Sequence, residues 1–162
     1  MSVIPEFLKA NERYAGSFTK GQLPMPPARK VAVVACMDAR LDTARILGLE
    51  EGDAHVIRNA GGRAADAIRS LVISQQLLGT REVVVVHHTD CGMLTFTDAQ
   101  LRAKLRDGLG LETTTEFLSF ADLDQSVRDD VDAIRRSPLL LTEVPITGFV
   151  YDVRTGRLRK VA

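Results

Sequence analysis

The chain has no excess of charge of either sign, since 21 Lys and Arg are matched by 21 Asp and Glu. With no net field to hold a polyphosphate backbone or an anionic lipid surface, neither nucleic acid nor membrane is expected as a partner. Long apolar runs are missing as well. Nothing approaches the roughly 18 apolar residues of a membrane span, and Pro5 and Glu6 interrupt the amino terminus where a secretory core would be unbroken. A cytosolic location is therefore expected. Cysteine is scarce, with only Cys36 and Cys91. In a reducing compartment such a pair reads as metal-binding or catalytic before it reads as a disulfide; inert buried thiols are the plain alternative, and the usual redox signature, Cys-x-x-Cys, is absent. There is no internal repeat and no low-complexity tract. With 162 residues, 45% of them hydrophobic, the expectation is one domain spanning 1–162 around a real core.

What the sequence does have is concentrated at the ends of two apolar runs. Val31 to Arg40 reads VAVVACMDAR, a strand-length run ending in Cys36 with Asp38 and Arg40 after it at spacings of two. Glu82 to His88 is a second such run, followed by Thr89, Asp90 and Cys91. In open α/β sheets the functional crevice lies outside the carboxyl ends of parallel strands, so adjacent placement of these two would bring Cys36, His88 and Cys91 together. Two thiolates and an imidazole make three of zinc's four ligands.

The remaining pattern predicts an α/β fold with a central, mostly parallel sheet flanked by helices. Ser2 is a candidate cap for a first helix with Pro5 in its opening turn and a broken apolar stripe of Ile4, Phe7, Leu8 and Tyr14. Residues 21–27, GQLPMPP, favour an extended arm, so that 1–29 forms a helix and arm suited to reach a second subunit. Lys30 to Ala35 reads as a fully buried strand, Asp42 caps a short helix through Leu47, and Ala54 to Ile57 is a brief strand. A helix is predicted over 64–78 with a stripe of Ile68, Leu71, Val72, Gln75 and Leu78, stopped by Gly79. Further helices are predicted over 98–106 and 119–136, the latter ended by Pro138. Ile146 to Val153 and Arg157 to Val161 flank Arg154-Thr155-Gly156 as a carboxyl-terminal hairpin whose first arm extends the sheet.

Two Cys and one His leave the fourth zinc position open, which separates a catalytic site from a closed structural one. Asp38 is placed to accept a hydrogen bond from a zinc-bound hydroxide or to become the fourth ligand, and a bidentate pair with Arg40 would hold it off the metal. The plain alternative is a solvated ion pair. His87 competes with His88, but alternation along the strand sends the two to opposite faces, and the three-residue offset to Cys91 favours His88. His87 is then a packing or supporting histidine, and His55 is given no role.

The combination Cys36-Met37-Asp38-Ala39-Arg40 with His88-Thr89-Asp90-Cys91-Gly92, and Arg58-Asn59-Ala60-Gly61 between them, resembles the β-class carbonic anhydrases, especially the short bacterial and archaeal members. The similarity runs from about Lys30 to the carboxyl terminus. It implies one zinc on Cys36, His88 and Cys91, a catalytic dyad of Asp38 and Arg40, and reversible hydration of carbon dioxide to bicarbonate. It also implies homodimers or dimers of dimers, with the amino-terminal helix embracing the partner. Ala39, His87 and Gly62 depart from residues common in the family without removing a catalytic group, and the lack of Trp excludes the Trp-containing bicarbonate pocket of some members. A related branch hydrolyses carbonyl sulfide or carbon disulfide at the same kind of site, which is one alternative. A zinc-binding regulatory homologue without turnover is another, and the intact Asp38 and Arg40 argue against it.

Overall fold

The computed structural model of the chain describes residues 2–141 and 143–162. Strands β1 (Val31–Cys36), β2 (Ala54–Asn59), β3 (Glu82–His88) and β4 (Ile146–Tyr151) run parallel, and β5 (Leu158–Lys160) lies antiparallel beside β4. Their spatial order is β2-β1-β3-β4-β5. The chain moves outward from β1 to β2, then crosses back past β1 to β3, so the order reverses between β1 and β3. That reversal opens a crevice at the carboxyl ends of these two strands, where ligands of open α/β sheets bind.

The run VAVVAC becomes a central strand because it can be covered on both faces, and its residues 32 to 36 are all buried. On one face Ala32, Val34, Val83 and Val85 pack with Leu71 of helix α3 (Ile68–Gln76) and with Val131 and Ile134 of helix α5 (Leu123–Arg136). On the other, Val33, Ala35 and Val86 meet Leu47 at the end of helix α2 (Thr43–Leu47), together with Leu49. Asp42 caps α2 by accepting from the Arg45 amide at 3.2 Å, as its position in the sequence predicts.

The amino-terminal helix α1 (Ile4–Gly16) has Pro5 in its first turn, but Val3 rather than Ser2 occupies the cap position. The Ser2 hydroxyl oxygen accepts from the Ile4 amide at 3.3 Å, one residue too early to cap the helix as drawn. No residue of α1 is buried. It is tied to the body near its carboxyl end, where the Tyr14 hydroxyl donates to Glu51 and Lys20 pairs with Glu51 at 2.6 Å.

Four helix boundaries differ from the sequence expectation, among them the end of α3, which lies at Gln76 and not 78. α3 begins at Ile68, not 64, because residues 64–67 close a separate tight turn, with the Ala67 amide on the Ala64 carbonyl at 2.8 Å. Gln75 sits in the apolar stripe of α3 for a specific reason: its buried side-chain oxygen accepts from the Leu141 amide at 2.8 Å. Helix α4 (Asp98–Leu109) runs past 106 to Gly110 in the left-handed region, from a capping box of Thr97 and Gln100. α5 starts at Leu123 instead of 119, capped by Asp122 through the Gln125 amide at 2.8 Å. The hairpin is present, although β4 ends at Tyr151 and Asp152 organises the turn by accepting from the Arg154 and Thr155 amides. Among the described residues no helix is long and apolar enough to cross a membrane.

Candidate metal centre

The carboxyl ends of β1 and β3 bring Cys36, His88 and Cys91 to one point. Their sulfur and nitrogen donor atoms all lie within 4.8 Å of one another, and all three residues are buried. His88 is oriented by a hydrogen bond from its Nδ1 to the Thr89 carbonyl, at 2.9 Å, which leaves Nε2 as the free donor. Among the described residues that buried Nε2 has no hydrogen-bond partner. A buried imidazole nitrogen facing two sulfurs, with nothing to satisfy it, fits a soft divalent cation such as zinc.

The electrostatics favour thiolate here. Cys36 is pulled well below the ordinary thiol range, first by the hydrogen bond from Cys91, against the opposing effect of burial, and further by His88 and by the backbone amides of Asp38 and Gly61. Cys91 is pushed up in the metal-free pair, because it serves as that donor and because it is buried. A bound cation would draw the second proton off, since thiolate is the ligating form. His88 loses basicity through burial, but the negative charge of Cys36 nearby, with the Thr89 carbonyl and Asp38, outweighs that and raises it overall.

Asp38 and Arg40 form the bidentate pair that their spacing predicts. Arg40 Nε donates to Asp38 Oδ1 at 2.9 Å and Nη2 to Oδ2 at 2.7 Å, while the Arg40 amide donates to Oδ1 at 2.8 Å. The guanidinium beside it holds the Asp38 carboxyl well below the usual carboxylate range, against a smaller effect of burial. Asp38 Oδ2 stands 3.7 Å from His88 Nε2. Asp90, to which the spacing assigned no role, also holds Arg40: its Oδ2 accepts from Nη1 at 2.7 Å and its carbonyl from Nη2 at 2.9 Å. The signal was an acid inside the His-x-x-Cys segment, opposite an arginine. Arg58 also acts on this loop, donating to the carbonyls of Cys36 at 3.1 Å and Asp38 at 2.7 Å.

Gly61 and Gly62 bring a further loop against the ligands. Both have positive φ, and a Cβ on Gly62 would stand 2.9 Å from the Cys36 nitrogen. A cavity of about 370 Å³ opens over the centre, lined by Cys36, Cys91 and Asp38 and otherwise largely by apolar groups of Met37, Ala60, Met93 and Phe96. His87, by contrast, faces away toward α5, with Nδ1 at 2.8 Å from Ser126 Oγ. His55 is far from the centre and sits at 2.8 Å from Ser74 Oγ.

Residues 31–111 match the carbonic anhydrase family. Over 162 residues, covering 99% of each chain, the sequence is 50% identical to β-carbonic anhydrase 1 of Mycobacterium tuberculosis. The crystal structure of a carbonic anhydrase from Streptococcus mutans superposes with a TM-score of 0.95 at 49% identity, covering 100% of this chain and 99% of that one. A carbon disulfide hydrolase of Acidianus is 37% identical, covering 97% of this chain and 88% of the other. With the open zinc-type triad at the sheet's switch point and likeness along its whole length, the chain belongs to the β-carbonic anhydrase family.

Proposed function

We propose that the chain catalyses the reversible hydration of carbon dioxide to bicarbonate and a proton, with one zinc held by Cys36, His88 and Cys91. The observation that carries this reading is the buried two-sulfur, one-nitrogen triad opening onto an apolar cavity beside the Arg40-held carboxylate of Asp38. Zinc, when bound, supplies Lewis acidity and acidifies a coordinated water.

Each chain residue has a distinct task in that reaction. Cys36 and Cys91 hold the cation as thiolates, and His88 presents Nε2 because the Thr89 carbonyl fixes its other nitrogen. Asp38 is too weak a base at neutral pH to carry off a proton, because Arg40 holds it ionised far into acid. Its work is to accept a hydrogen bond and so orient the attacking oxygen, while the released proton goes to solvent or buffer. Arg40 keeps the carboxylate in that acceptor position, and Asp90 braces Arg40 from the other side. Met93 and Phe96 give the non-dipolar substrate an apolar resting place.

Carbon dioxide is favoured over carbon disulfide because identity to the M. tuberculosis anhydrase exceeds that to the Acidianus hydrolase, 50% against 37%. A homodimer, or an assembly of dimers, is supported by α1, whose Ile4, Phe7 and Leu8 are exposed, and by Met25 in the arm, which is 80% exposed. A single domain over 1–162 is supported by one sheet that draws strands from 31 through 160. Two free thiols that must stay reduced to ligate metal support the cytosol. The metal set is tested by zinc content: Cys36→Ser, Cys91→Ser and His88→Ala should each lose most of the one zinc per chain, whereas His87→Ala, which removes no ligand, should largely keep it. Zinc retained by both cysteine variants would refute the site.

A further inference from the structure

Behind the ligands lies a buried ionic cluster that the reaction above does not use. Asp130 on α5 is 2% exposed, and its Oδ2 lies 3.0 Å from both Arg63 Nε and His87 Nε2. Both are close contacts without the alignment of hydrogen bonds, the first of them an ion pair. His87 is fully buried, with Ser126 Oγ on its other nitrogen. The ring of Phe120 stacks on His87, at 5.5 Å and 21° between planes, and the Arg63 guanidinium lies 5.3 Å from the same ring's centre. Arg63 reaches further to the Leu118 carbonyl at 3.3 Å, and its own backbone is gripped at both ends by the Asn59 side chain, at 2.7 and 2.9 Å.

From this cluster a short physical path leads to every metal ligand. His87 is covalently next to His88 on β3. Arg63 follows Gly62, whose backbone lies so close to Cys36 that a Cβ there would stand 2.9 Å from the Cys36 nitrogen. The Phe120 amide donates to the Met93 carbonyl at 3.3 Å, and the next residue's amide, of Leu94, donates to the Cys91 carbonyl at 3.1 Å. One buried carboxylate therefore sits at the junction of three segments, each carrying or packed against a different ligand residue. Replacing such a buried charged set wholesale with apolar groups is commonly neutral or favourable for stability, so stability alone does not explain the cluster.

We propose that Asp130, with Arg63, His87 and Phe120, is a positioning cluster that fixes the relative placement of Cys36, His88 and Cys91 and so sets the affinity and coordination geometry of the metal. Asp130 acts through other residues and touches neither metal nor substrate. The inference rests on the zinc reading above, and groups that orient metal ligands typically contribute about 10- to 100-fold in affinity.

The test uses full-length protein. Zinc affinity is measured by chelator competition, and the ligand-field spectrum is recorded with cobalt in place of zinc, for the parent, Asp130→Asn, Phe120→Leu and Val131→Ala. Val131 lies one residue from Asp130 but packs in the main core, so its variant supplies matched destabilisation without touching the cluster. Asp130→Asn and Phe120→Leu should each bind zinc roughly 10-fold or more weakly, with displaced cobalt bands, while Val131→Ala keeps parental affinity and bands at a comparable loss of thermal stability. Phe120→Leu introduces no unpaired charge and serves if the Asp130 variant does not fold. Parental affinity and spectrum in the cluster variants, or losses no greater than in Val131→Ala, would overturn the proposal while leaving the zinc site intact. A parent chain that bound no zinc would overturn both.

Discussion

Replacing Arg40 with alanine should convert Asp38 from an acceptor into an obstruction. Asp38 Oδ2 lies 3.7 Å from His88 Nε2, a separation inside the 4.8 Å within which the three ligand atoms themselves lie, so the carboxylate is close enough to join them. What holds it is the Arg40 fork at 2.9 and 2.7 Å, itself anchored on Asp90. Without the fork one backbone amide contact remains, and Asp38 can swing onto the fourth position. Arg40→Ala should keep one zinc per chain yet lose about 100-fold or more in kcat/KM for carbon dioxide, the scale of a mispositioned acid–base group. Arg40→Lys should fall between, because an ammonium cannot make the two parallel bonds. Removing the obstruction should help: Asp38→Ala combined with Arg40→Ala should turn over faster than Arg40→Ala alone. Stopped-flow hydration with zinc content measured on the same samples decides it. Parental rates in Arg40→Ala, or a double variant no faster than the single one, would refute the reasoning.

Deleting residues 1–27 should lower the mass seen by light scattering and expose apolar surface to a hydrophobic dye, since α1 has no buried residue of its own; an intact chain that is monomeric at micromolar concentration would contradict this. Asp98 holds residues 117–119 by accepting from their three amides and from the Ser119 hydroxyl, and those contacts, the hydroxyl first, lower its carboxyl to about 2. A depressed carboxylate stabilises the fold above its unfolded value of about 3.9 and loses that contribution as pH falls toward the folded value. Asp98→Asn should therefore flatten the drop in urea midpoint between about pH 4 and pH 2, and an unchanged slope would argue against the contacts. A Cβ at Gly148 would stand 2.4 Å from Val127 Cγ1 and 2.9 Å from Val131 Cγ2, so Gly148→Ala should push α5 from β4 at a cost of about 1–3 kcal/mol. For a chain of this size that is a fall of roughly 2–12 °C in Tm, and a parental Tm would refute the packing argument.

The parts of the fold that were legible in the sequence are those where one segment carries its own instruction. VAVVAC and EVVVVHH could only be strands covered on both faces, and the ligand residues at their carboxyl ends already implied adjacency. The alternation of His87 and His88 likewise followed from strand geometry, and the structure places them on opposite sides as expected. What escaped was set by partners distant in sequence. Ser119 looked like the start of a helix but is bound by Asp98, 21 residues away, which leaves Asp122 to begin α5. Asp90 and Arg40 meet across 50 residues, and the apolar-stripe position of Gln75 makes sense only beside Leu141. Asp130 carries no signal of its own in a helix as rich in charge as α5. Only the fold shows that one of its carboxylates points inward to Arg63 and His87. Spacing reports which side chains share a face, and it does not report what that face will meet.

The central claim, that this chain hydrates carbon dioxide through one zinc on Cys36, His88 and Cys91, is tested most directly by a metal titration of activity. Protein stripped with a chelator is reloaded stepwise with zinc, and carbon dioxide hydration is followed by stopped flow, with sulfide release from carbon disulfide and carbonyl sulfide measured on the same samples. The account predicts no hydration above background in the stripped protein, a linear rise that breaks at one zinc per chain, and hydration far exceeding sulfide release. Hydration that does not depend on zinc, or release of sulfide that outpaces hydration at full loading, would contradict it.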